Sequence, residues 1–387
     1  MYTKEYNILD YLVFYGEFGF EQVAFNAVDG LIFSQLAYCN IDGLVDSGFE
    51  NKITLNELAR KFMLSENVEE RSQMGALINE WTVDLLVTAG KTKRFGNVFV
   101  SNFVNIVDER KKEQFSALTF EIEKKKYVIS FRGTDDSIVG WYEDFNLGYM
   151  EQIPSHVDGA EYLKKALSEL KGEFILTGHS KGGNIVVKAG TSVDKKNQNR
   201  ILEIYNYDGP GFYSSFYKSE EFLQIENKLK CFYPESCFVG MMFEHYWKYS
   251  IVKSSEDALM QHDPFSWKVL GSGFEYVSDF DEKSQVFYKS FNDWANRLSN
   301  DEKKSFIDLF FDIMYASGAK TNYEIEKNKI VCGGKMLARL SEFEDDEREK
   351  FMNAIKVLLS VAKNNIPMFS VFDIKENVKE QFKKLRR

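Results

Sequence analysis

Between residues 126 and 233, short β-branched and aromatic runs alternate with stretches whose apolar residues recur every three or four positions. Residues 126–131, 173–177 and 201–207 read as strands, and 228–233 as a further one. Residues 157–170 and 183–193 read as helices between them. Such alternation dictates a largely parallel sheet with helices on both faces, because parallel neighbours must be joined by a crossover. Residues 97–107 and 116–123 add strands ahead of it. The expected class is α/β.

The two ends of the chain read as helix. Residues 23–39 and 71–89 carry apolar side chains at helical steps, and Thr54 and Glu57 stand at capping-box spacing ahead of another short helix. The helical period returns at 284–298, 301–316, 345–363 and 374–385. The expected organisation is a helical segment over 1–95 packed on the core, an α/β core over 96–281, and a helical region over 282–387. These additions exceed what two sheet faces need. One of them, with the aromatic stretch at 238–249, is a candidate roof over an apolar cleft.

Where strand 173–177 gives way to a helix stands Gly178-His179-Ser180-Lys181-Gly182. In that context G-x-S-x-G reads as a nucleophile elbow. Small neighbours allow a tight turn that presents Ser180, and the helix behind it supplies N–H groups and a positive dipole end. Acyl transfer also needs two N–H donors aimed at the developing oxyanion. Lys181, the residue after the serine, offers one. Gly133-Thr134, leaving strand 126–131, offers the other.

A serine nucleophile needs a base, and the chain has four histidines. His179 lies inside the elbow, its side chain expected to point away from the nucleophile in a structural role. His156 precedes the serine, against the Ser…acid…His order of such folds. His262, in a loop flanked by Asp263-Pro264, is favoured over His245, which sits in the aromatic Phe243-Glu244-His245-Tyr246-Trp247. For the acid, Asp208 ends a strand before Gly209-Pro210-Gly211, at the carboxyl edge of the sheet where such sites assemble. Glu235 and Asp257 are its competitors.

Composition narrows the partners. Net charge is −10, and the one basic block is the closing Lys383-Lys384-Leu385-Arg386-Arg387, so phosphate-driven nucleic-acid binding is not expected. There is no leader of basic, apolar and small residues in turn, and no apolar run of about 18 residues. Stable membrane insertion is therefore not expected, and the cytoplasm is the expected location. Cys39, Cys231, Cys237 and Cys332 form no C-x-x-C pair, so reduced thiols are expected and a zinc site is not. The chemistry asks for neither metal nor organic cofactor.

Phe131-Arg132-Gly133-Thr134 with Trp141 and Asp144, followed by Gly178-His179-Ser180-Lys181-Gly182-Gly183, resembles the class 3 (fungal-type) lipases. More closely, the pattern resembles a bacterial family of lipase-like α/β-hydrolases of uncharacterised function. Asp208-Gly209-Pro210-Gly211-Phe212 and residues 261–267 belong to the resemblance, which covers residues 20–270 and more weakly the helical tail. It implies an α/β-hydrolase fold with a Ser–Asp–His triad, and it puts Thr134 at the oxyanion-loop position. One departure stands out: class 3 lipases carry their acid in an Asp-x-Val-Pro-like segment, and the comparable residues 234–240 hold no Asp. The expected function is cleavage of carboxylic esters, of small molecules or lipids, through an acyl-enzyme on Ser180. His262 acts as base, Asp208 as first choice of acid, and the Thr134 and Lys181 amides as the oxyanion hole. The alternatives are a non-catalytic binding or scaffold protein on the same fold, or an acyltransferase.

Overall fold

The computed structural model describes residues 6–352 apart from 77, 345, 346 and 350. A nine-stranded mixed sheet forms its frame. β1 (Ile53–Thr54), β2 (Phe99–Asp108), β3 (Glu113–Glu123) and β4 (Lys126–Phe131) pair antiparallel in succession. From β4 the sheet runs parallel through β5 (Glu173–His179), β6 (Ile201–Tyr207), β7 (Leu229–Pro234) and β8 (Tyr249–Val252). Tyr276–Val277 closes the far edge, antiparallel to β8. A parallel sheet flanked by helices, with a serine turn between β5, the second of its five parallel strands, and a helix, is the α/β-hydrolase fold.

Period-two alternation assigns the two faces. Val128, Ile175, Tyr205 and Tyr207 belong to one apolar cluster, while Ile129, Phe131, Phe174, Leu176 and Ile204 belong to the opposite one. The first face is covered by helices Ile8–Tyr15, Ala27–Leu36, Leu55–Met63 and Trp81–Lys91. The second is covered by Pro154–Glu169 and Lys181–Thr191. Helix Ala27–Leu36 also satisfies the polar side chains of its face. Ser130 Oγ donates to the Phe33 carbonyl (3.0 Å) and Thr177 Oγ1 to that of Gly30 (2.9 Å). A Cβ on Gly30 would lie 2.4 Å from Tyr207 Oη, so only glycine lets this helix settle onto the sheet.

Local caps trim the expected helices. Asn26 accepts from Val28 N and Asp29 N, so the helix expected over 23–39 runs only Ala27–Leu36. The one expected over 71–89 begins at Trp81, behind a turn in which Gly75 has φ +89°. Helix Ile138–Asn146, capped by Ser137, had no counterpart in the sequence reading.

The C-terminal helices build a third apolar cluster. Ile138 and Tyr142 pack with Phe310, Phe311 and Met314 of helix Asn300–Ala316 and with Met336 of Lys329–Ser341. Trp141 and Phe145, together with Leu259, sit at its margin. Helix Glu282–Arg297 packs on the aromatic stretch through Phe238–Phe287 and Phe243–Phe291. The helix expected over 345–363 falls mostly outside the described residues, and that over 374–385 wholly so. No described helix is long and apolar enough to cross a membrane.

Candidate active site

β5 ends at His179 and the next helix starts at Lys181, so Ser180 alone makes the turn. It does so at φ +59° and ψ −132°, a strained conformation for a residue with a side chain. The flanking glycines are steric necessities: a Cβ on Gly178 would fall 2.1 Å from the Gly182 carbonyl, and one on Gly182 equally close to that of Phe131. Ser180 N donates to the Tyr207 carbonyl of β6 (2.9 Å), which anchors the turn. Its side chain is half-buried.

β4 delivers the loop beside it. A Cβ on Gly133 would lie 3.0 Å from Ser180 Cβ, so this backbone lies against the serine. Thr134 Oγ1 donates to Asp144 Oδ2. Loss of water around Asp144 pushes its carboxyl up to about 6, against the pull of the Lys181 ammonium and the Thr134 hydroxyl.

Lys181 does more than present an amide. Its side chain turns inward and is fully buried, with Nζ donating to Gln114 O (2.8 Å), Gln114 Oε1 (2.9 Å) and Glu143 Oε2 (2.8 Å). Glu143 also accepts from Gln114 N (3.0 Å), Ser155 N (2.8 Å) and Ser155 Oγ (2.6 Å). Gln114 Oε1 accepts in addition from Asp135 N (3.3 Å), in the loop after Thr134. One buried ion pair thus ties together the serine turn, the loop after β4, β3 and the start of helix Pro154–Glu169. The sequence reading used only the lysine's backbone. A lysine among glycines gives no local sign that its ammonium is internal.

Asp208 follows β6 at φ +50° and is completely buried. Its Oδ2 lies 2.6 Å from His262 Nδ1. Its Oδ1 accepts from Gly240 N (3.1 Å) and Cys237 Sγ (3.0 Å). Residues 234–240, which hold no Asp, therefore supply donors to Asp208. A Cβ on Gly240 would come 2.6 Å from Asp208 Oδ1, so glycine is required for that approach. Neither Glu235 nor Asp257 is hydrogen-bonded to His262.

The other histidines serve elsewhere. His245 is walled by Tyr233, Phe280 and Tyr288, and burial pulls its imidazolium below the usual range. His156 is buried with Nε2 2.5 Å from Asn184 Oδ1, while Nδ1 accepts from Ile153 N (3.2 Å); burial pushes it down to about 4. Asn184 Nδ2 in turn donates to Pro210 O (2.9 Å) and Gly211 O (3.2 Å), tying the elbow helix to the loop after Asp208. Asn184 was passed over in the sequence. His179 turns toward the His262 backbone and Tyr38. Among the described residues no three His, Cys, Asp or Glu side chains gather as a metal site would need, and all four cysteines are buried and unpaired.

None of the curated proteins compared with the chain matches it. Solved structures of similar fold include the M37 lipase, at 16% identity and TM-score 0.34, covering 55% of this chain and 68% of that one. A mutant form of MDLA from Penicillium cyclopium shows 14% identity and TM-score 0.38, covering 66% and 87%. A fungal lipase–inhibitor complex shows 14% identity and TM-score 0.34, covering 68% and 91%. These likenesses are distant and say nothing of this chain's chemistry. Residues 89–312, more than half of the chain and inclusive of Ser180, Asp208 and His262, match the Mbeg1-like family, and the chain belongs to it.

Proposed function

We propose that the chain is a serine hydrolase that cleaves carboxylic esters through an acyl-enzyme on Ser180. The observation that carries this reading is the 2.6 Å contact between His262 Nδ1 and the buried Asp208 carboxylate. A carboxylate only accepts, so Nδ1 keeps the hydrogen and Nε2 becomes the basic nitrogen. In the proposed cycle Ser180 Oγ attacks the ester carbonyl carbon as His262 Nε2 takes its proton. Asp208 holds the tautomer and stabilises the imidazolium, which then protonates the leaving alkoxide. Water, deprotonated by the same nitrogen, releases the acid.

The Thr134 and Lys181 amides are the proposed oxyanion donors. Their side chains are pinned by Asp144 and Glu143, and donors fixed in advance need no reorganisation as charge develops. The proposed substrate is a small-molecule or lipid ester, in keeping with the lipase-like motif around Ser180. Four buried, unpaired thiols favour a reducing compartment such as the cytoplasm.

An activity-based fluorophosphonate probe tests the reading. The expected result is covalent labelling, with the adduct located on Ser180 by peptide mass spectrometry. A well-folded protein that never labels would instead favour a non-catalytic binding protein. The acid has its own test. Asp208→Asn should keep the fold and lose about 10⁴-fold in kcat, because an amide no longer selects the productive tautomer. Wild-type turnover in that variant would move the acid elsewhere.

A further inference from the structure

His179 stands one residue before the proposed nucleophile, with its ring turned toward His262 rather than toward Ser180. The two imidazole centroids are 4.6 Å apart and the rings are tilted by 32°. His179 Nε2 lies 2.9 Å from the backbone carbonyl oxygen of His262, and its Nδ1 lies 3.2 Å from Tyr38 Oη. A carbonyl only accepts, so Nε2 carries the hydrogen. Nδ1 is then a lone pair, and Tyr38 Oη must donate to it. Burial raises the Tyr38 phenol above its usual range, and burial holds His179 neutral, with the neighbouring His262 opposing its charge further. The protons therefore run from Tyr38 O–H to His179, at Nδ1 with the His179 carbonyl a longer second acceptor at 3.5 Å, and from His179 N–H to the His262 carbonyl.

The Tyr38 hydroxyl lies close against the Gly133 backbone, where an added Cβ would fall 2.1 Å from it. Asp208 grips the His262 ring at Nδ1 only, and a ring held at one atom can pivot. The segment carrying it, Ala258–His262, is a short 3-10 turn that begins with Ala258 at φ +52°. A second hold on its backbone removes that freedom.

We propose that Tyr38 and His179 are positioning residues that together fix the backbone and ring plane of His262, a role that rests on the serine-hydrolase reading. Tyr38 comes from the turn after helix Ala27–Leu36, upstream of the residues that match the family. The N-terminal helices therefore reach the base as well as covering the sheet.

Ester kinetics on the full chain test the relay. Tyr38→Phe keeps the ring and removes the donor; kcat should fall about 10-fold with KM unchanged. His179→Leu removes both bonds and should cost about 100-fold in kcat, the scale of a displacement near 1 Å. His179→Gln, whose amide reaches the same carbonyl, should recover most of that loss. In proton NMR, the low-field signal of the His262–Asp208 hydrogen bond should broaden in Tyr38→Phe and His179→Leu and sharpen again in His179→Gln. Wild-type kcat in folded Tyr38→Phe and His179→Leu, or an effect confined to KM, overturns the proposal. If His179→Leu does not fold, Tyr38→Phe and His179→Gln decide by the same criteria. If the wild-type protein neither labels nor hydrolyses, the hydrolase reading has failed. The low-field signal then decides the relay separately, and an unchanged signal in Tyr38→Phe overturns it.

Discussion

Ser180→Ala should lose ester hydrolysis by about 10⁴-fold or more while its circular dichroism and urea midpoint stay close to wild type. The backbone bond that anchors the turn, Ser180 N to Tyr207 O, does not involve the hydroxyl. Alanine pays about the same strain at φ +59° as serine does. His262→Ala should be as severe. Because nucleophile and base act as a unit, the double variant should be little worse than either single one. His245→Ala, in its aromatic surroundings, should keep most of the activity. Full turnover of an activated ester by Ser180→Ala would remove the central claim, and a double variant far below both singles would break the partnership.

Lys181→Met should be the most damaging single change to stability, at about 3–5 kcal/mol by urea unfolding, because it leaves a buried carboxylate without its cation. Lys181 and Glu143 are both fully buried, so neither can turn to water without opening the structure. Combining Lys181→Met with Glu143→Gln should recover much of the loss. A glutamine carbonyl in the Oε2 position can still accept from Gln114 N and the Ser155 hydroxyl, so only Ser155 N loses its acceptor, while the uncompensated charge is gone. A Lys181→Met protein as stable as wild type would show that the pair contributes little. Since Gln114 also holds Asp135 N, next to Thr134 and its proposed oxyanion amide, the single variant should lose activity before it unfolds.

Local signals in the sequence were enough for the frame. Strands β4 and β6 occupy the very residues that β-branched and aromatic alternation marks, and the elbow sits between a strand and a helix as its glycines require. Asp208 could be singled out because its position at a strand end before Gly209-Pro210 is itself a local pattern. Helix Ile138–Asn146 escaped notice because Ile138-Val139-Gly140 has poor helix propensity; its burial against Phe310 and Phe311 decides the matter instead. The Lys181–Glu143 pair and the hold of Tyr38 on His179 join residues far apart in the chain, and no window of sequence contains both partners. Tertiary contacts of that kind have no local signature.

The helices over the first sheet face are made before most of the strands they cover, and their partners come late. Ser34 meets Thr177 across 143 residues, Tyr38 meets His179 across 141, and Tyr207 meets Ala27 across 180. Closing such intervals costs chain entropy before any contact repays it, which slows folding. At common translation rates roughly 7 to 30 s separate the synthesis of Tyr38 from that of His179. Through that interval Val28, Leu31, Ile32 and Phe33, buried in the finished fold, lack β5 and β6, the strands that complete the face they cover. A nascent chain halted before β5 should therefore bind hydrophobic chaperones and be open to protease within residues 8–91. Release past β6 should abolish both.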